Sequence, residues 1–203
     1  MKRILEIEEN SNSPTIDLLE EAKGLSPSVI TKLTVKWQAE YDEWRKRDLS
    51  GKGYVYVWAD GIYVKSRLDG EKTCLLVIIG VTVEGKKELV AVQTRIREST
   101  ESWRGVLLDL KFRGLTKAPK LAVCDGALGF QNAVDEIWGQ LKIQRCWFLK
   151  STKGNGSSAA SVAMAFKLCL QAEKNWRRFR GFKQLELVAK NIIFVDGEQM
   201  KAA

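Results

Sequence analysis

The chain has 203 residues, 45% of them hydrophobic, with seven tryptophans and a formal net charge of +8. That content supports one sizeable core and excludes unstructured filler for most of the length. Histidine does not occur, which rules out histidine-based zinc sites, Ser-His-Asp triads and Cys-His dyads.

The charge is unevenly spread. Residues 1–140 carry 21 basic and 21 acidic side chains, whereas residues 141–203 carry 12 and 4. A basic tail on a neutral body suits a polyanionic partner, nucleic acid first; it equally suits helices that are simply well solvated. Cys74, Cys124, Cys146 and Cys169 form no Cys-x-x-Cys pair. Reduced, buried thiols in a cytoplasmic protein are therefore expected. Met1–Asn10 is charged and lacks an apolar centre, so no signal peptide is expected. The apolar run Cys74–Val83 is too short to cross a bilayer as a helix, and no membrane partner is expected.

In chain order, residues 1–13 are polar and read as frayed. Ile16–Lys23 reads as a short helix and Leu25–Trp44 as a longer one, with Ser26 as N-cap and Pro27 at the first helical position. Its stripe is Val29, Leu33, Trp37, Glu40, Tyr41 and Trp44. The pair reads either as a helix-turn-helix or as the end of a longer helical domain. Tyr54–Asp60 reads as a strand, which Ile62–Leu68 continues or follows as a neighbour. Thr73–Val83 is β-branched and suits a central strand, and Glu88–Ile96 is the next. Short turns between these strands make them antiparallel.

Ser99–Phe112 reads as a helix whose apolar side is Trp103, Val106, Leu107, Leu110 and Phe112. Leu121–Cys124 is a short buried strand delivering Asp125. Phe130–Trp138 is a second helix, and Lys142–Leu149 a fifth strand. The order β-β-β-α-β-α-β suits an α/β fold, a mixed sheet with helices on its faces. Ser151–Ser158 is polar and glycine-rich. Ala159–Phe179 reads as a basic helix with Met164, Leu168, Ala172 and Trp176 on one side. Leu185–Ala189 suits a further helical turn, and Ile192–Asp196 a strand. The expected organisation is a helical segment over 1–48, a core over 49–150 and a helical tail over 151–203.

Two aspartates each close a hydrophobic run, Asp60 in YVYVWADG and Asp125 in KLAVCDG. Carboxylates at neighbouring strand ends can hold a divalent cation that activates water or a 3′-hydroxyl in phosphodiester transfer. Asp-Gly after a strand is also an ordinary turn, so spacing alone leaves both readings open.

From about Gly24 to Lys150 the chain resembles the mutator-type transposases encoded by bacterial insertion sequences. The stretches that carry the resemblance are LSPSVITKL, KRDLSGKGYVYVWADGIYVKSRL, VIIGVTVEGKKELVAV, RESTESWRGVLLDLKFRGL, APKLAVCDGALGFQNAV and QRCWFLK. The resemblance implies a ribonuclease-H-like core with an Asp-Asp-Glu triad, using Mg²⁺, for which Mn²⁺ often substitutes. Asp60 falls at the first acid and Asp125 at the second. It also implies double-stranded DNA partners (transposon ends and target), a homo-oligomer or an intact transposase as protein partner, and a cytoplasmic, nucleoid-associated location.

Residues 151–203 resemble the far C-terminal part of the same family through TKGNGSSAASVAMAFKL, AEKNWRRFRGFKQL and FVDGEQM. Between the two blocks the family carries a long helical region whose Asn-Pro-Ile-Glu-type segment supplies the catalytic glutamate. This chain has no such segment, so it reads as internally deleted near Lys150–Lys153 and as shortened at its front. The family's Cys-x-x-His motif survives as Cys146 with Leu149 in the histidine's place. Glu173 and Glu136 are the candidate replacements for the third acid, each with a solvated helix charge as the rival reading. Without that acid, cation binding is expected to be weakened or lost, and strand transfer negligible. Arg177, Arg178, Arg180 and Lys183 are the candidate contacts to DNA phosphates; a basic helix end stabilised by the helix dipole is the alternative. Trp103 reads as core or domain packing, with DNA stacking as the other option. The alternatives to an active enzyme are a remnant that binds DNA or interferes with an intact transposase, and a poorly folded product.

Overall fold

A computed structural model describes residues 26–65, 72–139, 141–145, 154–155, 158–178, 181–190, 192, 194–195 and 198–199. The predicted helix Ile16–Lys23, Cys146, Leu149, Arg180 and the Lys150–Lys153 junction lie outside these residues.

Helix α1 spans Pro27–Trp44. Pro27 suits its first position because that N–H would have no helical partner. Ser26 is the N-cap residue but makes no side-chain cap bond; its hydroxyl pairs with that of Ser28 instead. The strands follow as β1 (Tyr56–Lys65), β2 (Lys72–Val81) and β3 (Lys87–Arg95). Next come α2 (Thr100–Phe112), β4 (Leu121–Cys124), α3 (Leu128–Trp138) and β5 (Lys142–Arg145). A two-residue β6 (Gly154–Asn155), α4 (Ser158–Asn175), α5 (Phe182–Ala189) and a small β7–β8 pair (Phe194–Val195, Glu198–Gln199) complete the described chain.

The main sheet runs β3-β2-β1-β4-β5, with β6 joined to β1. The first three strands are antiparallel and β4 and β5 lie parallel to β1. This is the mixed sheet with helices on its faces that the element order led us to expect. One expectation changes in detail. Asp60 does not end its strand, because β1 runs unbroken through Asp60 and Gly61 to Lys65, paired throughout with β2.

Alternation along the strands builds two cores. On one face Val57, Ala59, Leu76 and Ile78 pack under Trp103, Val106, Leu107 and Leu110 of α2 and Phe130, Ala133 and Val134 of α3. On the other, Ile62, Leu75, Val77 and Ile79 pack under Tyr41 of α1 and Val162, Phe166 and Cys169 of α4. A smaller cluster joins Val55, Tyr56, Val81 and Val123 to Leu185 of α5. Two predicted stripes need correction. Phe112 is 92% exposed, because α2 has already turned its last residue off the sheet. In α4 Met164 faces outward, and the buried stripe is Val162, Phe166, Cys169 and the predicted Ala172, which follows the helical period more closely than a fixed step of four.

Strand β3 is an edge, and its outer rim is covered by side chains rather than by another strand. The Tyr41 hydroxyl donates to the Val92 carbonyl at 2.7 Å. Arg47 Nη2 donates to Leu89 O at 2.6 Å and to Val90 O at 3.2 Å. Glu173 Oε1 accepts from the Leu89 N–H at 3.2 Å. A β-bulge between Ile78 and Ile79 shifts the β2–β3 register where these bonds gather. Burial, then the neighbouring Arg113 charge, lowers the Arg47 guanidinium to about 10.

Candidate active site

Strand β4 pairs with β1 over Tyr56↔Leu121, Val57↔Ala122 and Trp58↔Val123. Continuing that register by two residues brings Asp125 alongside Asp60, just past the last paired residues of the two strands. The strands have parted by then. Beyond them β6 rejoins β1 at Val64↔Gly154 and Lys65↔Asn155. Between β4 and β6 the edge of β1 opens into a notch, and both aspartates stand at it. A split at the carboxyl ends of parallel strands is where α/β sheets commonly receive ligands.

Alternation puts Asp60 on the α4 face, with Ile62, while Asp125 is the first residue beyond β4. Asp60 is 8% exposed. Burial raises its carboxyl above the usual range, and the negative charge of Asp125 adds to the effect. Asp125 is half-buried and its Oδ1 accepts the Ala127 N–H at 2.8 Å, which fixes the turn after β4. Gly126 in that turn has φ +94, a backbone conformation that favours glycine.

A third carboxylate lies close by that the sequence reading missed. Glu98 stands between β3 and α2, half-buried, and accepts the Trp103 indole N–H at 2.9 Å. Burial raises its carboxyl, and the charges of Asp125 and Asp60 push the same way. Burial raises the Cys74 thiol to about 12, with Glu98 and Asp60 adding to it. The only available signal was its place just before the Ser99 cap, which reads as ordinary helix-start chemistry. Among the described residues, no group of three or more His, Cys, Asp and Glu side chains stands placed to hold a metal ion.

Neither candidate replacement acid reaches the notch. Glu173 is the sole acid of α4 and is tied to the β3 edge. Burial raises its carboxyl, while the Leu89 N–H works the other way. Glu136 accepts from Arg104 Nε at 2.6 Å on the outer side of α3. Trp103 is fully buried and packs edge-on against Phe130 with ring centroids 5.0 Å apart. It therefore presents no face on which a base can stack.

The basic residues gather elsewhere. Arg177, Arg178 and Lys183 are exposed. The Arg178 guanidinium lies 4.6 Å over the Phe182 ring, and both side chains border Gly85 in the β2–β3 turn. That turn follows Val81, whose partner is Tyr56 at the start of β1. The aspartates lie four residues farther along, about 13 Å. The structure thus brings Asp60 and Asp125 together and leaves the basic cluster toward the opposite rim. No helix among the described residues is long and apolar enough to cross a membrane.

Comparison with known proteins finds matches over most of the chain. The family model described as "Transposase, Mutator family" matches residues 14–153. The transposase for insertion sequence element IS6120 of Mycolicibacterium smegmatis is 53% identical over 142 residues, covering 70% of this chain and 44% of that protein. The transposase for element IST2 of Acidithiobacillus ferrooxidans is 46% identical over 144 residues, covering 68% and 46%. The chain thus spans a little under half the length of these relatives. Among solved structures, the catalytic domain of Mos1 mariner transposase aligns over 82% of this chain and 92% of that domain, at 9% identity and a TM-score of 0.39. The matched stretch contains the whole five-stranded sheet and both aspartates at its notch, and on that match the chain belongs to the Mutator family of transposases.

Proposed function

We propose that this chain carries the cation-holding part of a transposase that cuts DNA at element ends and joins it to a target, and that this copy is catalytically defective. The observation that carries the reading is the register that sets Asp60 beside Asp125 where β1 and β4 separate. The donor set fits Mg²⁺: the ion prefers oxygen ligands and is commonly held by one or two carboxylates with retained water and substrate phosphate. Mn²⁺ accepts the same donors. When bound, such an ion stabilises the charge that develops on phosphate oxygens. Asp60 and Asp125 would hold it, and burial of Asp60 would exclude bulk water from one side.

The defect follows from the missing third acid. The helix that packs over the aspartate face is α4, and its one acid is engaged at the β3 edge. The family match ends at residue 153, which supports an internal deletion at the Lys150–Lys153 junction. With two carboxylates at the notch among the described residues, we expect weak cation binding and negligible strand transfer.

A second reading has its own support. The exposed Arg177, Arg178 and Lys183 favour a remnant that retains DNA through phosphate contacts, or that associates with an intact transposase and interferes with it.

Purified chain with matched terminal-repeat DNA and Mg²⁺ or Mn²⁺ tests both readings. We expect no cleaved product, and DNA retention that weakens steeply between about 50 and 200 mM salt. Cleavage that disappears on Asp60→Ala overturns the defective assignment. Retention indifferent to salt, or unchanged by Arg178→Ala with Lys183→Ala, overturns the DNA-remnant reading.

A further inference from the structure

Glu98 lies behind the notch rather than in it. Gly61 faces the α2 side of β1, as Ala59 does, whereas Asp60 faces the α4 side. A methyl group on Gly61 would collide with the Glu98 carboxylate, coming within 2.6 Å of Cδ. The carboxylate therefore rests on bare backbone immediately after the first aspartate. Its other side is held by the Trp103 indole at 2.9 Å, and its own N–H donates to the Tyr63 hydroxyl at 3.2 Å.

The contacts continue to the second aspartate. Trp103 packs edge-on against Phe130 of α3, the helix that follows Asp125. Gly129, beside Phe130, lets the backbone of Ser99 and Thr100 approach; an added Cβ would lie 3.0 Å from Ser99 C and 3.1 Å from Thr100 N. Two glycines, one near each aspartate, thus admit the same short segment that begins at Glu98. The Ser99 hydroxyl holds that segment by accepting the Ser102 N–H at 3.2 Å.

We propose that Glu98 is a positioning residue for the two aspartates: wedged between the Cα of Gly61 and the Trp103 indole, it sets the Asp60 strand against α2 and, through the Trp103–Phe130 contact, against the helix that follows Asp125. It lies on the opposite face of β1 from the Asp60 side chain and so acts through the backbone that carries the aspartates, without touching the ion. The inference rests on the reading of Asp60 and Asp125 as cation ligands.

The test uses the full chain, labelled with ¹⁵N and titrated with Mn²⁺. The variants are Glu98→Ala, Glu98→Gln and Gly61→Ala, with Asp60→Asn marking a lost ligand. Without metal, Glu98→Ala and Gly61→Ala are expected to move the amide signals of both Gly61 and Gly126, leaving the β7–β8 hairpin unmoved. With Mn²⁺, both variants are expected to need about tenfold more ion to broaden those signals. Glu98→Gln keeps an oxygen for the indole and is expected to restore near-wild-type behaviour. Gly61→Ala displaces the carboxylate without deleting it, so the inference remains testable if Glu98→Ala fails to fold. Wild-type Mn²⁺ dependence in Glu98→Ala or Gly61→Ala, with Asp60→Asn impaired, overturns the positioning role alone. Equal loss in Glu98→Gln and Glu98→Ala overturns it too, because charge rather than the wedge would then matter. No broadening in the wild type, or none lost in Asp60→Asn, overturns the cation reading. In that event the metal-free signals decide the wedge, and an unmoved Gly126 sinks it.

Discussion

Asp60 is a carboxylate kept in a place that disfavours its charge. Burial first, then Asp125, raises its folded pKa above the unfolded one. Its contribution to stability is therefore present below about pH 4 and is lost as pH rises through the folded value. Asp60→Asn should melt higher than the wild type at pH 7, by about 2–4 °C for each kcal/mol recovered. The difference should shrink on acidification, and thermal melts at pH 7 and pH 4 check this. A variant that melts lower at pH 7 would show that Asp60 is held by contacts worth more than its burial costs. Asp60 and Asp125 were legible in the sequence because each follows a hydrophobic run. Glu98 was not: its link to them runs through a glycine on another strand, and no local pattern records which glycine lies under which carboxylate.

The elements themselves were largely legible, because hydrophobic period and turn residues are local quantities. Pro27 marks the start of α1, Ser99 caps α2, and Leu121–Cys124 stands out as apolar residues before an Asp-Gly turn. The reading failed where a helix has more than one apolar stripe. In α4, Met164 and Phe166 are equally apolar, and only the sheet beneath decides which is buried. The treatment of the β3 edge was also invisible in sequence, since its caps come from Tyr41, Arg47 and Glu173, each more than 40 residues from its partner on β3. An edge strand with open amides and carbonyls invites pairing with another chain. Tyr41→Phe removes the bond to Val92 while keeping the ring packed on Phe166. It should cost about 1 kcal/mol, read from urea unfolding, and raise the rate of aggregation on warming. No change in either would mean that water replaces the hydroxyl at no cost.

At the scale of the molecule, the last block of the chain supplies one layer of a core, through Val162, Phe166 and Cys169. Phe166 is 1% exposed and lies among Tyr41, Trp44 and the sheet. Phe166→Ala should cost about 3–5 kcal/mol, and a single unfolding transition should move as a whole, since α1, α4 and the sheet share the cluster. Two separate transitions, with only the smaller one shifted, would show that α4 melts apart from the sheet. The antiparallel pairing of β1, β2 and β3 was readable from their short turns, whereas the placement of β4 against β1 rather than against β3 was not. That the far block would seal the aspartate face was not readable, since it depends on shape matching between segments that no local pattern connects.

That seal bears on what becomes of the protein after synthesis. A shortened transposase that left the apolar face of its sheet bare would be cleared quickly by proteases and chaperones. Here α4 closes that face, so the product should persist and accumulate wherever its gene is read.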